Sequence, residues 1–251
     1  MEDLRYIYSV ARVRVLETHL LKKELFLQIS GVDTLDAALR ILTETASYAW
    51  DILNIRDSLG LETFINTEKQ KLERLALELF VEPHLFEAYV FLRKDLLKSH
   101  VLILKTKSDF LKDFIKRFVD LYNIKTFLRM QYQRQPLETL KINLIEGGYI
   151  LKAAFINLFA KERINFYPEV IKEGIAQIEK DGDFSLLEQE IGDYLINLMR
   201  PAKYMFFGPE AILGYCLAKE NELGLLRLIL LGKINNISPK KIQQRLIQTY
   251  A

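Results

Sequence analysis

The 251-residue chain is half hydrophobic and 27% charged, which excludes a disordered or collagenous polypeptide and allows a large core. Thirty-five Lys and Arg stand against thirty-three Asp and Glu, a net charge of +2 with the signs mixed along the sequence, so nucleic acid is not expected as a partner. A single cysteine, Cys216, excludes an internal disulfide and a Cys-based zinc cluster and suits a reducing cytoplasm. Eleven Gly, six Pro and no alternating strand pattern around turn dipeptides point to an all-α fold of long helices and short connections.

The first segment, MEDLRYIYSVARVRVLETHLLKK, starts acidic and has no continuous apolar region before a small-residue cleavage site, so it is not read as a secretory signal. A basic helix, ARVRVL from Ala11, is followed by DTLDAALRIL from Asp33, where a polar cap precedes a helical run. Trp50, the only tryptophan, is expected in the core. Leu72, Leu75, Ala76 and Leu79 share one face of a helix over 69–79, and amphipathic helices follow over 84–97 and 109–128, separated by Pro83 and the KTKSD loop at 105–109. Lys125 and Arg129 lie at i and i+4 on one face of the second. QPLETLKINL from Gln135 is a second capped start, closed by Gly147 and Gly148, and Gly182 within KDGD marks a surface turn. An amphipathic helix over 187–199 stops at Arg200 and Pro201.

The run from Ala211 to Leu231 is apolar enough to resemble a membrane span, but Lys219, Glu220, Glu222 and Arg227 interrupt it, and it is better placed in a protein core. Between Leu223 and Leu231 the apolar residues go nearly all round, which predicts a helix enclosed by others and requires a partner or a route to water for Arg227. Gly232, Asn235 and Asn236 are expected to end it in left-handed conformations, and Ser238 with Pro239 to cap and start another. The starts at Asp33, Gln135 and Ser238 lie 102 and then 103 residues apart, and offset nine is apolar in each: Leu42, Leu144 and Ile247. Such a period predicts similar helical units, about 1–103, 104–205 and an incomplete 206–251, within a single domain that has no Ser/Gly-rich linker.

Chemistry is sparse. Gly232 and Lys233 lack the upstream glycine and the hydroxyl residue of a phosphate loop, and the helix-ending role is favoured. His19, His84 and His100 have no ligand partner at metal-binding spacing, Cys216 has no nearby His, and the carboxylates nominate no acid–base pair, so no catalytic, cofactor or metal site is expected.

The stretch GPEAILGYCLAKENELGLLRLILLGKINNISPKKIQQRL closely resembles the C-terminal signature of the C subunit of bacterial and archaeal V-type (A/V-type) ATPases, the counterpart of the d subunit of eukaryotic V-ATPases. YSVARVRVLETHLL with DTLDAALRIL resembles that family's N-terminal segment, and LYNIKTFLR followed by EGGYI its middle one. The resemblance implies an all-helical, funnel-shaped protein of three similar subdomains around a pseudo-threefold axis. It also implies a non-catalytic central-stalk component, peripheral at the cytoplasmic membrane face, that couples the shaft formed by the D and F subunits to the membrane proteolipid ring during H⁺ or Na⁺ transport. Polar residues that pattern places on helix surfaces, Lys125, Arg129, Glu220, Glu222 and Lys233, are the candidate partner contacts. Two other readings stay open: a helical scaffold for a different partner, and an all-α enzyme whose site would be a deep pocket of converging acids or histidines.

Overall fold

A computed structural model describes residues 4–45, 47, 48, 52, 54–94, 106–159 and 168–250. Every regular element among them is helical, as the scarcity of Gly, Pro and alternating patterns predicts. Trp50 and His100 lie outside the described residues, as does the side chain of His84.

Two compact units divide the chain: residues 1–81 with 200–251, and residues 82–199. This grouping differs from the three stretches marked by sequence spacing, because 206–251 shares a unit with the N-terminal helices. Neither junction carries a Ser/Gly-rich stretch; Pro83 opens a helix just after one crossing, and Pro201 lies in the 3₁₀ turn that follows the other.

In the first unit, α1 (Ile7–Glu17), α2 (Lys23–Gly31), α3 (Leu35–Thr43) and α4 (Ser58–Leu79) assemble with two C-terminal helices, α11 (Glu210–Ile234) and α12 (Pro239–Gln243). The long helix α11 is the spine: it packs on α4, α1, α2, α3, α12 and the 3₁₀ turn Arg200–Tyr204. Phe26, Ile29, Leu42, Leu61, Phe64, Ile65, Leu226 and Ile229 are core residues here, all buried. Burying a side chain of this size is worth about 1.5–3 kcal/mol, and that burial stabilises short helices such as α2 and α3 that would not persist alone. The spine is not apolar on every side. Gly224 and Arg227 face outward, one turn apart, and Arg227 reaches Glu62 of α4 at 2.6 Å.

The helix ends differ in detail from the sequence reading. Gly232 stays inside α11, where a Cβ would come within 2.7 Å of Ile242 Cδ1, and Asn236 takes the left-handed turn with φ 54°. Ser238 stands at the start of α12 without a side-chain capping bond. At α3 the cap is Thr34, not Asp33, its hydroxyl accepting from the Ala37 N–H at 3.2 Å, and α7 (Leu137–Asn143) starts at Pro136 uncapped by any side chain.

In the second unit, α5 (Pro83–Lys94), α6 (Asp109–Tyr132), α7, α8 (Lys152–Leu158), α9 (Lys172–Asp181) and α10 (Ser185–Met199) follow in order. Phe127, Leu140, Phe155, Ile171, Ile175 and Leu187 form its core, with α10 lying on both α9 and α6. Ser108 caps α6 through the Leu111 N–H, and Gly182, at φ 74°, ends α9. The α9–α10 contact is close: a Cβ at Gly174 would stand 2.5 Å from Leu187 Cα.

Candidate functional site

The charged block in the middle of α11 meets two very different environments. Glu222 is only 3% exposed, and three donors converge on its carboxylate. The Tyr48 hydroxyl donates to Oε1 at 2.5 Å, Lys219 Nζ donates to the same oxygen at 2.6 Å, and the Leu21 N–H donates to Oε2 at 2.5 Å. Lys219 precedes Glu222 by three residues, so one helix face carries both, and its ammonium also lies 4.4 Å from the centre of the Tyr48 ring. Burial and the adjacent Glu222 carboxylate push the Tyr48 phenol well above its ordinary pKa, so it stays a donor. The result is a buried, charge-assisted tie joining α11 to the link between α1 and α2 and to the segment after α3.

A second tie lies three turns further on. Lys233 is 3% exposed, and its Nζ donates to the backbone oxygens of Ser30, at 2.7 Å, and Val32. A cation thereby satisfies carbonyls at the C-terminal end of α2, where the helix dipole favours positive charge. Burial lowers the Lys233 pKa while Asp33 opposes the shift.

Glu222 and Lys233 were expected on the helix surface as partner contacts, and the structure corrects that expectation. Their polar groups point inward because each is matched by donors or acceptors on neighbouring elements, which removes the penalty that periodicity assigns to a buried charge. Glu220 is half-buried.

Lys125 and Arg129 converge, as their i, i+4 spacing predicts, but on a partner within the chain. Glu188 of α10 accepts from Arg129 at 2.5 Å and lies 3.9 Å from Lys125 Nζ. Arg129 also covers the Phe184 ring at 5.6 Å. Partial burial pulls the Lys125 pKa down. Both cations keep exposed surface, so the pair to Glu188 is worth at most about 1 kcal/mol.

Sequence reasoning missed two buried side chains of α6 that shape the second unit. Asn123 donates to the Ile145 carbonyl and accepts from its N–H, both at 2.8 Å, and Asp120 accepts from the N–H groups of Tyr149 and Ile150. Asp120 and Asn123 share the face of the core residues Ile124 and Phe127, and that placement within an apolar stripe is the signal that marks them. Desolvation raises the Asp120 pKa despite its two backbone donors.

No group of three or more potential metal ligands occurs among the described residues. An open groove of about 490 Å³ in the first unit is lined by His19, Lys22, Glu24, Leu25 and Gln28, a shallow surface and not a deep pocket of converging acids. Cys216 is buried in α11. No described helix is long and apolar enough to cross a membrane. What the geometry offers is a set of internal ties that stiffen a helical body.

Comparison with known proteins matches that body to a family. Similar chains include the C subunit of the V-type sodium ATPase of Enterococcus hirae, 31% identical over 141 residues that cover 53% of this chain and 42% of the relative. The C subunit of the A-type ATP synthase of Pyrococcus furiosus is 28% identical over 144 residues, covering 53% of this chain and 39% of the relative. That of Methanocaldococcus jannaschii is 23% identical over 162 residues, covering 60% and 41%. The aligned part of the chain thus spans well under half the length of these curated relatives. The family model for the ATP synthase (C/AC39) subunit matches residues 61–245, from α4 through α12, and the chain belongs to that family.

Proposed function

We propose that the chain is a non-catalytic central-stalk component of a V-type ATPase, a socket that couples the D/F shaft to the membrane proteolipid ring so that ATP hydrolysis or synthesis is linked to H⁺ or Na⁺ transport. The observation that carries this reading is the family match across residues 61–245. The ties at Glu222 and Lys233 support it on physical grounds. A torque-bearing element has to resist relative sliding of its helices, and directional, buried, charge-assisted bonds do so better than apolar contact alone.

In this reading the protein needs no cofactor of its own and sits peripherally on the cytoplasmic side of the membrane. Lys125, Arg129 and Glu220 are the candidate contacts to shaft or ring, whereas Glu222 and Lys233 act inside the body. The spacing of 102 and 103 residues between the three helix starts is in keeping with the pseudo-threefold arrangement that the family resemblance implies.

Copurification under conditions that preserve the intact ATPase tests the assignment. The tagged chain should bring the D, F and proteolipid subunits with it. Recovery of the ATPase without this chain would sink the proposal and favour a scaffold for a different partner. Lys125→Gln with Arg129→Gln should weaken association with purified D/F; unchanged affinity removes both from the contact set.

A further inference from the structure

Beyond α12 the chain runs through the exposed turn Gln244–Arg245 into a segment, Leu246–Tyr250, that is neither helix nor strand and yet becomes buried: Thr249 is 6% exposed and Tyr250 3%. Side chains of other elements hold it on the first unit. Asn221 Nδ2 of α11 donates to the Gln248 carbonyl at 2.9 Å and the Arg200 guanidinium to that of Thr249 at 3.0 Å, while Leu246 and Ile247 lie against the core. Lys203 Nζ stands 4.6 Å from the centre of the Tyr250 ring. Gly214 of α11 is the floor beneath the hydroxyl, because a Cβ there would come within 2.9 Å of both Tyr250 Oη and Ala202 Cβ. Burial first, and then the Glu17 carboxylate, raise the phenol above its ordinary pKa, so the ring is held neutral.

Backbone carbonyls read by side chains and one aromatic anchor in a pocket are how a groove receives an extended peptide. The walls of this groove are tied to one another without their occupant. Arg14 of α1 donates to the Ala202 and Met205 carbonyls, and Glu222 of α11 accepts from the Leu21 N–H in the α1–α2 link. α12 is held separately, with Ile242 against Gly232, so the turn at Gln244 and Arg245 is where the segment can swing away. A segment held by side chains and not by a backbone ladder belongs to the part of a fold that opens locally. Thr249 and Tyr250 also close, over Leu21 and Phe26, a cavity of about 10 Å³ beside Glu222. That is room for one water at most, so the segment covers the carboxylate on this side.

We propose that Leu246–Tyr250 is a releasable strap: it occupies a peptide groove on the first unit and leaves it with the helices still folded, opening the Glu222 tie to water. The groove selects an extended segment in which an apolar pair is followed, three residues on, by an aromatic ring. The inference needs no ATPase partner, and a chain that copurifies with the ATPase but never releases its strap would overturn only this inference.

Fluorescence anisotropy of a labelled peptide of residues 245–251, RLIQTYA, with the full chain tests it. In the wild type the tethered strap competes at an effective concentration on the order of millimolar, so the peptide should bind weakly. Tyr250→Ala in the full chain empties the anchor pocket; it should keep the wild-type circular dichroism and bind the peptide at least about tenfold more tightly than the wild type does. A peptide carrying Tyr250→Ala should bind neither chain. In the wild type, hydrogen exchange at the Leu21 N–H should be insensitive to urea well below the unfolding midpoint, whereas exchange at Leu226 and Ile229 should rise with urea. Loss of helical signal in Tyr250→Ala, equal affinity of the peptide for the two chains, or a urea dependence at Leu21 matching that at Leu226 overturns the proposal and makes the segment a fixed part of the core.

Discussion

The Glu222 carboxylate shows how one residue can be a liability or a tie according to what surrounds it. Removing one donor leaves two, so Tyr48→Phe should cost about 1.5–3 kcal/mol, the range for a hydrogen bond to a charged group. Removing the acceptor strands the Tyr48 hydroxyl, the Lys219 ammonium and the Leu21 N–H together, so Glu222→Leu should cost more than Tyr48→Phe in urea unfolding. The reverse order would mean that the carboxylate is not the hub. Lys233 allows a test in pH. Its pKa in the folded chain lies below the ordinary lysine value, so over the alkaline range just below that value the unfolded chain holds the proton more tightly. Stability from this group therefore rises with pH through that range. Lys233→Met should lower stability at neutral pH by about 1–3 kcal/mol, because the Ser30 and Val32 carbonyls lose their donor, and it should remove this rise. A rise of the same size in the variant would assign it to other groups.

At the scale of elements, length and periodicity made most helices legible. The faces carrying Leu72, Ala76 and Leu79, the turn at Gly182 and the stop before Pro201 are found where the sequence puts them. The all-round apolar pattern of α11 correctly implied a buried spine, although Arg227 and Gly224 open one side. Less legible were the two ties, because hydropathy assigns a charge to the surface and cannot see that residues about 200 positions earlier supply its partners. The close α9–α10 approach was hidden for a similar reason: Gly174 lies within a helix and looks like a weak position until Leu187 is placed against it. Gly174→Ala puts a methyl into the backbone of α10. Helix propensity alone favours Ala by about 0.8–1 kcal/mol, while overpacking costs about 1–3 kcal/mol, and with backbone as the obstacle the second effect should win. A variant more stable than wild type in thermal unfolding would show that the helices part cheaply.

For the whole molecule, the separate cores of the two units set how it should come apart. Each has its own cluster of buried residues, led by Phe64 and Leu226 in one and by Phe127 and Phe155 in the other. The first is closed by α11 and α12, which return from the far end of the sequence to pack on α4 and α2, so its contacts span most of the chain. The second is a continuous stretch built from sequential helices, and loop-closure entropy favours its formation first. Equilibrium unfolding should accordingly show two transitions. Glu222→Leu should move only the transition of the first unit and Gly174→Ala only that of the second, monitored by hydrogen exchange at α11 and α10. If either substitution shifts both helices together by the same free energy, the two cores unfold as one cooperative body.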